Sequence, residues 1–283
     1  MVQPMLLADA STVLTPPFYL QAIGAIFKTF DQQDSGNVSY GVRVAGERYF
    51  VKTAGDPANT KPYLDHAGRV ALLRNAVRLR ARCDHPSLCR LHNVIESPTG
   101  PLLVYAWAEG ELLHVPRAQR ADPQSSYQRF RALPVSTILD ALDQLYELHR
   151  LLAADGWVAC DFYDGCLLYD FTINRLHVID LDTYHQGPFT NTMGRMFGSS
   201  SFMAPEEFEL GAPIDQQTTV FNLGRTAALF LGNGALTPMT FRGNDAIFAV
   251  VRRACTAERA LRFATVAAFV AAWRAACNNR LTN

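Results

Sequence analysis

The sequence predicts an α+β fold in two lobes, on three observations. Residues 27–53 alternate polar and apolar, with many β-branched and aromatic side chains, the period-two signature of half-buried strands. One helical stretch and two further strand-like runs follow before residue 107. Beyond residue 133 the pattern turns helical and rich in alanine. Strands gathered in front and helices behind argue for two lobes with a cleft between them.

The elements follow in order. Residues 1–26 form an N-terminal extension. The first lobe, 27–107, opens with FKTF, NVSYGVRV and RYFVKT, the last two joined by a turn at Ala45-Gly46-Glu47. A helix is expected over 66–82, with Val70, Leu73, Val77 and Ala81 on one face. It ends at His85-Pro86, since a residue before proline leaves the helical region. LCRLHNVIE and PLLVYAW read as strands around the turn 97–100. A hinge at 108–112 leads to the second lobe, 113–283. The stretch 113–133, with Arg117, Arg120, Arg129, Arg131 and two prolines, reads as a solvated surface loop. A helix then starts near Thr137 and Asp140, striped by Ile138, Leu142, Leu145 and Leu152. Further helices are expected over 221–231 and 246–276.

Composition narrows the function classes. Lys+Arg and Asp+Glu both number 26, so no general attraction to nucleic acid or to a membrane surface is expected. The six cysteines have no CxxC pair and no zinc-like spacing, which suits reduced thiols. The N-terminus has no basic n-region, and no run of 18 apolar residues occurs. A cytoplasmic protein with no membrane span is the expectation.

Chemistry concentrates in four places. Lys52 closes the strand RYFVK. Asp161 opens DFYDGC, ahead of the strand LLY. HVIDLD places Asp180 and Asp182 after it, with Asp180 19 residues on, and GSSSFMAPEEF follows. In this order, the motifs resemble the protein-kinase-like superfamily, in particular bacterial-type Ser/Thr protein kinases, over about residues 27–276. That resemblance implies a bilobal kinase fold, ATP and Mg2+ (or Mn2+) as cofactors, and transfer of the γ-phosphoryl to a hydroxyl of a protein substrate. It assigns Lys52 to the ATP phosphates, Asp161 to the acceptor hydroxyl, Asp180 to the metal, and Asp182 to an auxiliary metal role. Gly36, Val38, Phe50, Tyr105 as gatekeeper, Trp107, Ala108, Glu111 and Leu168 are the implied nucleotide contacts. Glu206 is expected to pair, buried, with Arg262.

The chain also departs from that family. Ala76 stands where a helix glutamate would hold the lysine. Asp31 and Gln33 replace two glycines of the phosphate loop, and Phe50 replaces a small residue above the adenine. Ala159-Cys160 replaces His-Arg, which argues against control by phosphorylation of the activation segment. The serines at 199–201 read as polar loop residues. Tyr163 replaces a lysine, Cys166 a metal-binding asparagine, and Thr219 an aspartate that braces the catalytic loop. Two alternatives therefore stay open. One is a pseudokinase that binds nucleotide or a partner without catalysis. The other is a small-molecule kinase of the aminoglycoside- or choline-kinase type, which the MAPE element disfavours.

Overall fold

Five antiparallel strands and three helices form the first of two compact units in the computed structural model, which describes residues 4–278. Residues 1–3 of the extension and 279–283 of the second lobe lie outside the described residues. The units divide between Ala108 and Glu109. The first contains α1 (Met5–Ala8), α2 (Pro16–Ile23), β1 (Ala25–Phe30), β2 (Val38–Val44), β3 (Glu47–Thr53), α3 (His66–Arg82), β4 (Leu91–Ser97) and β5 (Gly100–Ala106), with sheet order β1-β2-β3-β5-β4.

The turn at Ala45-Gly46, with φ of 51° and 88°, is the two-residue type that matches strand twist. It fixes the β2–β3 register from Val44↔Glu47 back to Ser39↔Lys52. One sheet face packs Tyr40, Val42, Val44, Tyr49, Val51, Ile95, Leu102 and Val104 against Leu6, Tyr19 and Leu20. The N-terminal extension is thus part of the first unit's core. Asn93 fastens it further, its amide donating to the carbonyls of Leu6 and Asp9 at 3.1 and 2.8 Å.

The helix α3 has the expected bounds, and Asp65 caps it by accepting from Gly68 N at 2.7 Å. Its buried face differs from the expected stripe. Arg69, Leu73, Ala76 and Leu79 point inward, whereas Ala81 is exposed. Arg69 causes the difference. Fully buried, it donates to the carbonyls of Ala54 (2.7 Å), Leu64 (2.9 Å) and Asp56 (2.8 Å). Apolar periodicity cannot register a buried cation whose acceptors are backbone oxygens.

The second unit holds β6 (Glu111–Leu112), α4 (Ser126–Ala132), α5 (Val135–Ala154), β7 (Trp157–Val158), β8 (Leu167–Asp170) and β9 (Arg175–Val178). After these come β10 (His185–Gln186), β11 (Phe189–Thr190), β12 (Pro213–Ile214), α6 (Gln216–Gly232), α7 (Asp245–Ala254) and α8 (Val266–Asn278). The four stripe residues of α5 are buried, and its Tyr146 meets Phe269 and Trp273 of α8 edge-on at 4.9 Å.

The stretch 113–133 corrects the surface-loop expectation. It contains a 3-10 turn at Arg117–Gln119 and the helix α4, whose Tyr127 and Phe130 are buried. Phe130 meets Phe230 at 4.8 Å and Tyr169 at 4.7 Å. Three of the four arginines are engaged. Arg120 binds Asp164 at 2.7 Å, Arg129 binds Glu111 at 2.7 Å, and Arg131 lies over the Tyr127 ring. The missed signal was the Tyr127/Phe130 pair at i and i+3. Among the described residues, no helix is long and apolar enough to cross a membrane, and none of the six cysteines forms a disulfide.

Candidate functional site

In the first unit, the strand period places Phe50 and Lys52 on the sheet face opposite the core formed with α1 and α2. Lys52 is largely buried. Phe50 is half-buried in an aromatic row, 5.7 Å from Phe30 and 6.5 Å from Tyr105. The half-buried Trp107 meets Phe27 edge-on at 4.9 Å, and Ala108 closes the unit. Gly36, at φ 78°, presses against Pro62, and a Cβ there would lie 2.2 Å from its ring. Ala76 packs with Ala54, Leu73 and Leu103.

Val38 is a correction. It pairs with Thr53 and packs against the core on the other face of the sheet from Lys52. The residue that shares the lysine's face is Ser39, directly across from it, fully buried, its hydroxyl without a hydrogen-bond partner among the described residues. Counting back from the Ala45-Gly46 turn finds it. Aligning on Gly36 lands one residue short, and one residue flips the face.

In the second unit, the β8–β9 hairpin brings two loops together. Leu167 pairs with Val178, so residues 161–166 and 179–184 leave the same end of the hairpin. Ile179 N donates to Cys166 O at 2.9 Å, and Thr183 Oγ1 donates to Cys160 O at 2.9 Å. Asp161 and Asp180 both occupy the left-handed region, at φ 54° and 62°. Among the described residues, the other non-glycine residues with positive φ are Ala45, Asn174 and Asn233. Ala45 and Asn174 lie between paired strands and Asn233 caps α6, so their conformations follow from chain reversal or helix termination. The aspartates have no such role, which singles them out as candidates for a functional site.

His149 of α5 supports both loops, and the sequence reading passed over it. Its Nδ1 lies 2.8 Å from the Leu145 carbonyl, which can only accept, so Nδ1 carries the proton. Nε2 therefore accepts from Tyr184 Oη, at 2.7 Å. Phe162, next to Asp161, stacks edge-on against the same imidazole at 4.8 Å. The signal was present, because position 149 continues the buried stripe of Leu142 and Leu145. Thr219 corrects a second expectation. Its Oγ1 accepts from Ala159 N at 3.1 Å, so a neutral hydroxyl braces the loop before Asp161. Fully buried Asp164 braces the loop from the far side, with His114 Nδ1 at 2.8 Å and Arg120 Nη2 at 2.7 Å.

The remaining candidates sit nearby in this unit. Glu111 is held by Arg129, and Leu168 pairs with Leu112 and His177. Tyr163 is half-buried, and burial first, then the Cys166 thiol and the charges of Asp161 and Asp180, push its phenol well above the ordinary tyrosine value. It stays a neutral donor at any working pH. Burial pushes the Cys160 thiol up to about 12, which leaves it unreactive.

The segment after Asp182 anchors this site. Arg262 grips Glu206 with two bonds, at 2.6 and 3.0 Å, and Arg259 adds a third at 2.7 Å. Burial is the largest influence and pushes the Glu206 carboxyl up, but the hydrogen bonds and charge of Arg262, a backbone hydrogen bond and the Thr218 hydroxyl together hold the group below the ordinary value. Glu207 behaves in the opposite way. Burial pushes it up to about 7, although Ala204 N (2.6 Å) and Asn222 Nδ2 (2.9 Å) donate to its Oε2. Because the folded value exceeds the ordinary 4.5, the native state binds the extra proton. Its stabilising effect is complete below about pH 4.5 and is lost as pH rises to about 7. The loss is expected to be on the order of 3 kcal/mol. Glu207→Gln should flatten this part of the stability curve, and urea unfolding from pH 4.5 to 8 measures it. Parallel curves for the two proteins would remove Glu207 as the cause.

The donor chemistry decides which metal fits. Asp180 is exposed and Asp182 buried, and both offer hard oxygens. Cys166 offers only a soft thiol, whose Sγ lies 3.5 Å from the Asp161 carbonyl. Among the described residues, no three His, Cys, Asp or Glu side chains converge on a metal position. Magnesium is commonly held by one or two carboxylates plus substrate phosphates. The two carboxylates are therefore compatible with a hard cation that brings its other ligands with it, and among the described residues there is no all-protein cage.

The fold and site define an α+β protein whose second unit sets two backbone-strained aspartates on adjoining loops. No family model and no curated protein matches this chain.

Proposed function

We propose that this protein is an ATP-dependent phosphotransferase of protein-kinase-like fold that phosphorylates a Ser or Thr hydroxyl of a protein substrate. The observation that carries the reading is the tethering of Asp161 and Asp180, both left-handed, on two loops supported by one buried histidine. In this reading, Asp161 orients the acceptor hydroxyl and takes its proton as the oxygen bonds to the γ-phosphorus, while the bond from that phosphorus to the β–γ bridging oxygen breaks and ADP leaves. Lys52 neutralises the phosphates, Asp180 holds the metal and Asp182 supports it. Magnesium or manganese supplies charge neutralisation on the phosphate oxygens when bound. The neutral phenol of Tyr163 is a hydrogen-bond donor beside the two aspartates. Catalysis then rests on positioning and fixed charge.

Titration with ATP, with and without Mg2+ or Mn2+, tests binding through the rise in Tm. Label transfer from ATP by the wild type and by the Asp161→Asn and Asp180→Asn variants tests chemistry. No Tm shift at millimolar Mg-ATP would rule out the enzyme. A shift without transfer would favour the second reading, a pseudokinase. The Phe30–Phe50–Tyr105 row and the Cys166 thiol support that alternative. Phe50 gives a separate expectation. Phe50→Ala should tighten Mg-ATP binding about tenfold, or roughly 1.4 kcal/mol, by opening the sheet face beside Lys52. An unchanged Kd would remove Phe50 from the pocket wall.

A further inference from the structure

We infer that Glu207 is a proton-dependent tie, which holds the segment 196–204 against Asp161 in acid and loosens it as pH rises. One residue closes both ends of this segment. The Glu207 carbonyl accepts from Met196 N at 2.8 Å, and its side-chain Oε2 accepts from Ala204 N at 2.6 Å. Asn222 of α6 joins the tie to the segment. Its Nδ2 donates to Glu207 Oε2 at 2.9 Å and to Phe202 O at 3.0 Å. Within the closed loop, Met196 and Met203 pack with Val158 and Cys160. Gly198 lies against Asp161, where an added Cβ would be 3.5 Å from Oδ1.

The tie is a carboxyl group on a residue only 2% exposed, and among the described residues no cation pairs with it. The adjoining Glu206 takes both Arg262 and Arg259. Arg195 and Arg225 hold loop carbonyls instead, those of Met196, Gly198 and Ser201. The charges that bear on Glu207 are those of Glu206 and Asp161, both of its own sign, and the Cys160 thiol beside it is neutral. A buried carboxyl with neutral donors and anionic neighbours keeps its proton, in line with its rise to about 7. When the segment opens, the carboxyl meets water and returns to its ordinary 4.5. Between these values the closed state therefore holds more proton than the open one. Opening grows easier by severalfold per pH unit from about 5 to 7 and flattens above that. Such openings involve one segment while the rest of the fold stays intact. A bearing on turnover rests on the proposed role of Asp161, whereas the tie itself does not.

Amide hydrogen exchange of the full chain without nucleotide, read by mass spectrometry from pH 5 to 8 and corrected for the intrinsic rate, tests the tie. In the wild type, the opening constant of the 196–204 peptide should rise about 40-fold between pH 5 and 7 and then flatten, while the α5 amides stay protected. Glu207→Gln keeps the shape and an acceptor oxygen, and it should remove the slope. A wild-type profile with no slope would overturn the tie, whatever the variant does. The same slope in Glu207→Gln would overturn Glu207 as its cause. An equal rise in α5 would place the effect on global unfolding and overturn the local opening. Absence of ATP transfer by the wild type bears on the proposed function alone and leaves these results readable.

Discussion

Arg262→Ala is expected to destabilise the second unit by about 3–5 kcal/mol, the usual cost of stripping one partner from a buried ion pair. Glu206 is 3% exposed and Arg262 2%. The substitution leaves the carboxylate with only Arg259 as a cation, itself partly open to solvent. It also removes the donor to the carbonyls of Thr256 (2.7 Å), Ala257 (2.9 Å) and Gln217 (3.2 Å). These carbonyls lie at partly buried or exposed positions, so losing their donor adds little beyond the ion pair. Arg259→Ala should cost less, about 1 kcal/mol, because that guanidinium is more exposed and solvent replaces it. Urea unfolding of both variants checks the ranking. Equal losses would show that burial does not set the strength of this cluster.

Asp161→Asn is expected to lower turnover by about 10²–10⁴-fold, the range for removing a general base, while leaving Tm and Mg-ATP affinity close to wild type. Asparagine keeps the shape and tolerates the left-handed backbone at φ 54°, so the loop should hold. On the proposed function, only the proton acceptor is lost. Asp180→Asn should instead weaken the metal-dependent part of ATP binding, since an amide oxygen is a poorer magnesium ligand than a carboxylate. The split is the informative part, with Asp161 acting on turnover and Asp180 on metal-dependent affinity. Wild-type turnover in Asp161→Asn would end its assignment as the base. Equal metal dependence in Asp180→Asn would end its assignment as the metal ligand.

The β-strands of the first unit and the helices α3, α5 and α6 were legible in the sequence, because periodicity and turn residues are local properties of the chain, whereas the helical stretch expected over 246–276 is two helices, α7 and α8, parted by residues 255–265. The Glu206–Arg262 pair was legible only through the order of motifs, since nothing local links residues 56 positions apart. The aspartates were legible as candidates. Their strained backbone was not, because asparagine and aspartate enter the left-handed region in ordinary turns as well.

The sequence by itself determined the strands of the first unit, the helix after them and the split into a strand-rich and a helix-rich part. Only the tertiary structure decided which face each marginal residue takes. Arg69 turned inward because three loop carbonyls needed a donor. Tyr127 and Phe130 drew a polar stretch into a helix because Phe230 and Tyr169 offered them a surface. His149 became a support because Tyr184 and Phe162 reached it from distant loops. For Phe130 and its neighbour Tyr127 the deciding partners are remote in sequence. A buried polar or aromatic group takes its place from the partner it finds, and local pattern records only the chain that carries it.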